Sequence, residues 1–264
     1  MTTASRAELL RFAVEVVRDA GAIALKYFRT AMPVTNKSAN SRYDPVTQAD
    51  REVERLIRRR IETVYPAHGI VGEEEASRAG DGIHQWIIDP IDGTRAFISG
   101  IPLWGILLGL QIRNECILGV LHQPFLGETF TGIREGKATF ENAAGLQTIG
   151  ARKVTELSDA ILYCTHPSIF GHQDNLDRFL RVAGQCRMMR YGGDCYLYGL
   201  LACGHIDLVI EGGLAPYDII PLIPIIEAAG GAVSNWEGGS AASGGRIVAA
   251  ATPELLQAAL SLLC

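Results

Sequence analysis

Apolar residues recur every three or four positions near the start of the chain, at Leu9, Leu10, Ala13, Val14, Val17, Ala20, Ala24, Tyr27 and Phe28. That spacing predicts an amphipathic helix of about six turns at 3.6 residues per turn. A polar loop over 35–43 is expected to follow. Pro45 then leads into a second helix carrying Val53, Leu56, Ile57 and Ile61 and ended by Tyr65-Pro66. From Trp86 the pattern shortens to β-like runs at 86–89, 103–112, 116–121 and 128–131, with Arg113-Asn114 as a hairpin turn between two of them. The second half alternates: strand 161–164, helix 175–183, helix 195–202 closed by Gly204, strand 206–210, helix 218–229, strand 246–250 and a last helix. Alternation of this kind predicts an α/β fold. Pro221 and Pro224 sit inside the expected 218–229 helix; one suits a first turn and the other implies a kink.

Composition narrows the class. With 264 residues, 48% of them hydrophobic and 20% charged, the chain builds one large domain or two tightly joined small ones. The only candidate boundary is a shift in composition at 142–155, dividing the chain into 1–145 and 146–264. A formal net charge of -5 argues against a nucleic-acid or membrane-surface binder. The one basic run, Arg58-Arg59-Arg60, falls in the second helix and reads as a solvated face. No apolar stretch reaches the roughly 18 to 20 residues a membrane span needs, and the first ten residues carry no secretory core, so a cytoplasmic protein is expected. The six cysteines form no C-x-x-C pair, which suits reduced, buried thiols. The six histidines show no ligand spacing and read as surface or core residues.

Three acidic segments carry the candidate chemistry: Gly72-Glu73-Glu74-Glu75, Asp89-Pro90-Ile91-Asp92-Gly93-Thr94, and Ala215-Pro216-Tyr217-Asp218. In the second, the apolar Trp86-Ile87-Ile88 run ends at Asp89 and Pro90. Two carboxylates three residues apart, across a proline and before a glycine, suit a rigid turn that aims both, and a backbone carbonyl, at a common point. Hard divalent cations such as magnesium take oxygen ligands of this kind. Each segment alone has a plainer reading. Asp-x-x-Asp-Gly also describes a solvated turn, Asp218 a first-turn acid facing a helix dipole, and Asp50, in Thr47-Gln48-Ala49-Asp50, a capping box.

Together the segments resemble the inositol-monophosphatase family in order and spacing. The resemblance is carried by Asp44-Pro45-Val46-Thr47-Gln48-Ala49-Asp50, Gly72-Glu73-Glu74, Trp86 to Thr94, and Tyr217-Asp218 through Ala228-Ala229-Gly230-Gly231. It implies a layered α/β/α/β/α sandwich, a magnesium-dependent phosphatase acting on a small phosphate monoester, two or three ions per site, and a homodimer. Residue by residue it implies that Glu73, Asp89 and the Ile91 carbonyl hold one magnesium, and that Asp89, Asp92 and Asp218 hold a second. Thr94, paired with Asp50, would orient the attacking water with Glu73, and the N–H groups of Gly93 and Thr94 would hold the phosphate. Lys37 matches a family lysine near a third metal position, with a spacing to Asp44 two residues longer than usual.

Two stretches, 93–105 and Tyr191-Gly192-Gly193-Asp194-Cys195-Tyr196, look more like the histidinol-phosphatase branch than the inositol branch. Asp194, expected at a helix start beside Gly193, and Glu211, expected at a strand end, would both face the leaving group if the family geometry holds. Two carboxylates suit a leaving group carrying an amine and an imidazole better than a polyol. The expectation is therefore histidinol phosphate, a histidine-biosynthesis substrate. The alternatives are inositol phosphates or other sugar phosphates, and a fold kept as a non-catalytic regulatory protein. Asp194 as a mere helix cap is the competing reading of that residue.

Overall fold

A computed structural model describes residues 5–31, 33–36 and 45–263. Its first half runs α1 (Arg6–Tyr27), β1 (Val34–Asn36), β2 (Pro45–Thr47), α2 (Gln48–Val64), β3 (Gly69–Gly72), β4 (His84–Asp92), α3 (Thr94–Ile98), β5 (Gly105–Ile112), β6 (Glu115–Gln123), β7 (Glu128–Ile133), β8 (Ala138–Asn142) and β9 (Gly145–Thr148). The second half runs β10 (Ile161–Cys164), α4 (Gln173–Ala183), β11 (Met188–Tyr191), α5 (Tyr196–Ala202), β12 (Leu208–Leu214), α6 (Pro216–Ile219), α7 (Ile223–Ala228), β13 (Ala232–Asn235), β14 (Gly245–Ala250) and α8 (Pro253–Leu263).

Strands β3 to β9 form one seven-stranded sheet in chain order, antiparallel except for the parallel β3–β4 pair. Strands β10 to β14 form a mixed five-stranded sheet in the order β11-β10-β12-β14-β13. The side chains of β4 and β5 alternate between two cores, which is why these strands read as nearly continuous apolar runs. Trp86, Ile88, Ile106 and Leu108 face one way, onto Phe12, Val16, Val53 and Ile57 of α1 and α2. Ile87 and Leu107 face the other way, into a core shared with α5, α7 and the five-stranded sheet. Beyond that sheet, Phe179 and Val182 of α4 pack with Leu255 and Leu256 of α8. Helix layers thus alternate with sheets, as the α/β/α/β/α expectation required.

Two sequence expectations fail. The 218–229 helix is two helices, α6 and α7, broken at residues 220–222. Pro221 is pressed onto the seven-stranded sheet there: a Cβ at Gly119 would lie 1.7 Å from the Pro221 carbonyl oxygen, so only glycine lets the break come this close. The polar loop at 35–43 begins as a strand, since Thr35 and Asn36 pair with Val46 and Pro45 in a two-stranded ribbon. The Arg113-Asn114 turn is as expected, with φ of 52° and 65°, the paired positive values of a type I′ hairpin turn. Strands β3, β8, β9, β11 and β13 and the short helix α3 carry too little periodicity to be read from sequence.

Candidate active site

β4 supplies two of the acidic side chains, and an irregularity in its pairing explains how. In a regular strand, residues three apart point to opposite faces. Here Asp89 pairs with Leu107 while Asp92 pairs with Gly105, so β4 carries one extra residue at Pro90-Ile91. Pro90 has no N–H to continue the ladder, and the bulge shifts the phase by one residue. Asp89 and Asp92 therefore line the same cleft, of about 220 Å³, together with Glu73 and Asp218.

The carboxylate oxygens of Asp89, Asp92 and Asp218 come within 4.8 Å of one another. Each of the three is also held by a backbone N–H. Asp89 Oδ1 accepts from Ile91 at 3.1 Å. Asp92 Oδ1 accepts from Cys195 at 3.0 Å. Asp218 Oδ2 accepts from Ala215 at 2.7 Å at the start of α6. One oxygen of each group is thus fixed by the backbone. Burial holds the Asp89 carboxyl well above the usual carboxylate range, and the charges of Glu73, Asp92 and Asp218 push it further. Burial does the same to Asp92, with Asp218 and Asp194 adding to it. Crowded anions in a hard-oxygen donor set fit a divalent cation that would offset their repulsion.

Glu73 follows β3 on a turn built from below. Glu54, fully buried, accepts the N–H groups of Glu74 (2.8 Å) and Glu75 (3.1 Å) and pairs with Arg58 at 2.7 Å. The Arg58 guanidinium also donates to the carbonyls of Glu75 and Ala76. This corrects the reading of Arg58 as part of a solvated face. It lies on the inner side of α2, 6% exposed, and only Arg59 of the run is fully solvated.

Gly93 caps α3 at φ +84°, and a Cβ there would meet the Asp194 Cβ at 3.0 Å. That approach brings Asp194 into the same cleft. The Thr94 hydroxyl donates to the Ile91 carbonyl oxygen at 3.1 Å. Asp50 takes the N–H and hydroxyl of Thr47 at 2.8 and 2.6 Å, so the capping box is real, and it does not line the cleft. β2, which ends at Thr47, packs against α3. Lys37 lies outside the described residues.

The cleft also holds a second pair of acids, Asp194 and Glu211. Asp194 adopts φ +44° and makes no capping bond to α5, which excludes the helix-cap reading. Burial raises its carboxyl to about 6 against the lowering effect of Arg95. Glu211 is buried in the middle of β12, at a bulge and not at the strand end, and accepts the Thr165 N–H at 2.6 Å. Burial raises it to about 8. Both line the cleft, whereas Gly193 packs behind it against Leu197. Sequence reasoning missed Arg95, Thr165 and Tyr198, which also line it; Tyr198 gave no signal beyond an apolar position in an expected helix.

A second group, His68, Asp81 and His84, also brings possible ligand atoms within 4.8 Å, a meeting the histidine spacing did not suggest. The His68 and His84 rings are stacked, 4.3 Å between centroids and 8° apart in plane. An imidazole binds a metal in the plane of its ring, so two parallel stacked rings do not converge on one ion. His68 Nδ1 accepts the Trp86 indole N–H at 3.1 Å, and His84 pairs with Asp81 at 2.8 Å. As arranged, the group closes the loop between β3 and β4.

The profile of the inositol monophosphatase family matches residues 5–264. The chain is 38% identical to the chloroplastic bifunctional phosphatase IMPL2 of Arabidopsis thaliana, over 98% of this chain and 77% of that one. It is 34% identical to the histidinol-phosphatase of Chlorobaculum parvum, over 87% and 86% of the two chains. Its fold superposes on an inositol monophosphatase from Zymomonas mobilis with a TM-score of 0.86 and 34% identity, covering 99% of each.

Proposed function

This chain belongs to the inositol monophosphatase family of phosphatases, and from that membership we propose that it is a magnesium-dependent phosphatase whose substrate is histidinol phosphate. The observation that carries the catalytic part is the convergence of Asp89, Asp92 and Asp218, each with one oxygen held by a backbone N–H. Asp89, Asp92 and Asp218 would hold one ion, and Glu73, Asp89 and the Ile91 carbonyl another. Bound magnesium would supply charge neutralisation at the phosphoryl oxygens and a more acidic water.

The residues of the chain do the rest. Glu73 and Thr94 orient the attacking water from one side of the phosphate. The N–H groups of Gly93 and Thr94, at the start of α3, hold the phosphate oxygens. Asp50's part in this step is supported by the family resemblance, while its bonds to Thr47 support a capping role. Asp194 and Glu211 receive the leaving group. Their joint presence in the cleft supports a cationic leaving group, whose charge would favour the ionised form of two carboxyls that burial holds raised, whereas a polyol offers them no such compensation. The name of the Chlorobaculum relative points the same way, and that of the Zymomonas relative favours inositol phosphates as the second reading.

Family resemblance also supports a homodimer, and the free state of the five described cysteines suits a reducing cytoplasm. The test of function is phosphate release from a panel of monoesters, with and without magnesium. Histidinol phosphate should lead the panel, and turnover should vanish with the ion. A sugar phosphate in first place would move the assignment to the second reading.

A further inference from the structure

α5 carries a side chain that the reading above does not use. Tyr198 is 3% exposed, lines the cleft, and its hydroxyl has no hydrogen-bond partner among the described residues. It shares that cleft with Asp92 and Asp218 and with the second pair of acids, Asp194 and Glu211. Two of those acids already have donors of their own: Asp92 takes the Cys195 N–H and Glu211 the Thr165 N–H. The helix is tied to the cleft by that Cys195 bond, one turn before Tyr198, so the ring has little freedom to turn away. A buried hydroxyl left without a partner costs stability. A phenylalanine would fill the same volume without that cost. The hydroxyl is thus set up for something that enters the cleft.

We propose that the Tyr198 hydroxyl is a substrate-binding group: its oxygen accepts a hydrogen bond from an ammonium on the leaving group, and its own O–H turns to Glu211. This rests on the amino-alcohol phosphate reading of the substrate. A hydroxyl is suited to the task because it accepts and donates at once, and so joins a cation to a carboxylate already engaged on its other side. An ammonium has three N–H donors, and Asp194, Glu211 and Tyr198 together offer three acceptors around one space.

The experiment compares wild type with Tyr198→Phe on histidinol phosphate and on the same ester lacking the amine. Wild type should prefer the amine-bearing ester, and the variant should lose about tenfold or more of that preference, mainly through KM. Activity on the amine-free ester should fall far less than activity on histidinol phosphate. The melting temperature of the metal-free variant should equal or exceed that of wild type, because an unpartnered hydroxyl has been removed. An undiminished preference in Tyr198→Phe, or equal losses on both esters, overturns the contact and leaves the substrate reading standing. A lowered melting temperature overturns it too, by showing that the hydroxyl is bonded within the free protein. Absence of any amine preference in wild type overturns the substrate reading itself.

Discussion

The backbone N–H of Cys195 donates to Asp92 Oδ1 at 3.0 Å, between residues 103 apart in the chain. One residue lies on the bulged end of the seven-stranded sheet, the other at the start of α5, so a single bond both fixes one of the clustered carboxylates and ties α5 to the sheet. Asp89, the other β4 carboxylate, is the first to test. Asp89→Asn is expected to be nearly inactive and fully folded. Loss of one charge from a crowded cluster relieves repulsion, so the metal-free variant should melt no lower than metal-free wild type. Circular dichroism melts in chelator check this, and a marked drop would assign Asp89 a structural role.

Magnesium should stabilise the folded chain measurably. At a concentration one hundredfold above Kd, binding contributes about 2.7 kcal/mol, roughly 5 to 10 °C in a domain of this size. The shift should vanish on chelation and shrink sharply in Asp218→Asn. An unchanged melt across a magnesium titration would sink the metal assignment.

Asp194→Asn should lower kcat/KM on histidinol phosphate by about tenfold to a hundredfold, as for a lost charge-assisted contact, and lower it far less on a neutral sugar phosphate. Parallel assays of both substrates decide it. Equal losses would mean that Asp194 does not read the charge of the leaving group.

Glu211 gives a pH signature. Its carboxyl is raised from the ordinary 4.5 to about 8, with burial the main cause. A raised acid favours the folded state below its unfolded value and loses that contribution as pH climbs through the folded value. The metal-free protein should therefore lose this contribution between about pH 4.5 and 8. Glu211→Gln keeps an acceptor for Thr165 and cannot ionise. Its melting temperature relative to wild type should thus rise from pH 5 to pH 8.5, and a flat difference would contradict the buried, raised state.

Arg58→Met should be among the more damaging single changes. It strips the partner from fully buried Glu54, a class of change that costs about 3 to 5 kcal/mol. The turn carrying Glu73 loses two carbonyl contacts at the same time, so magnesium affinity should fall with stability. Replacing Glu54 and Arg58 together by apolar residues should recover stability without recovering affinity. Paired melts and metal titrations of the single and double variants separate the two effects.

Much of the candidate site was legible in the sequence because its acidic residues stand at breaks in apolar patterns: Asp89 and Asp92 around Pro90, Asp218 after Pro216, Glu73 after Gly72. The long helices were legible for the same reason, since α1 and α2 carry strong periodicity over many turns. What escaped was non-local. Arg58 reads as surface because its partner lies one turn earlier and its other contacts lie beyond β3. The gathering of His68 with His84 depends on loop closure. Tyr198 looks like any core aromatic until the fold sets its hydroxyl among acids. The α6–α7 break was half visible: two prolines signalled a disturbance, but the glycines that admit it lie on other strands.

That break has a mechanical consequence. Asp218 rides on a helix of one turn, and Pro221 immediately after it rests on a strand where no side chain intervenes. The carboxylate is therefore referenced to the sheet that also bears Asp89 and Asp92, as parts bolted to one frame keep their alignment when attachments shift. The three clustered carboxylates thus share one sheet as their common support, although Asp218 lies more than a hundred residues further along the chain.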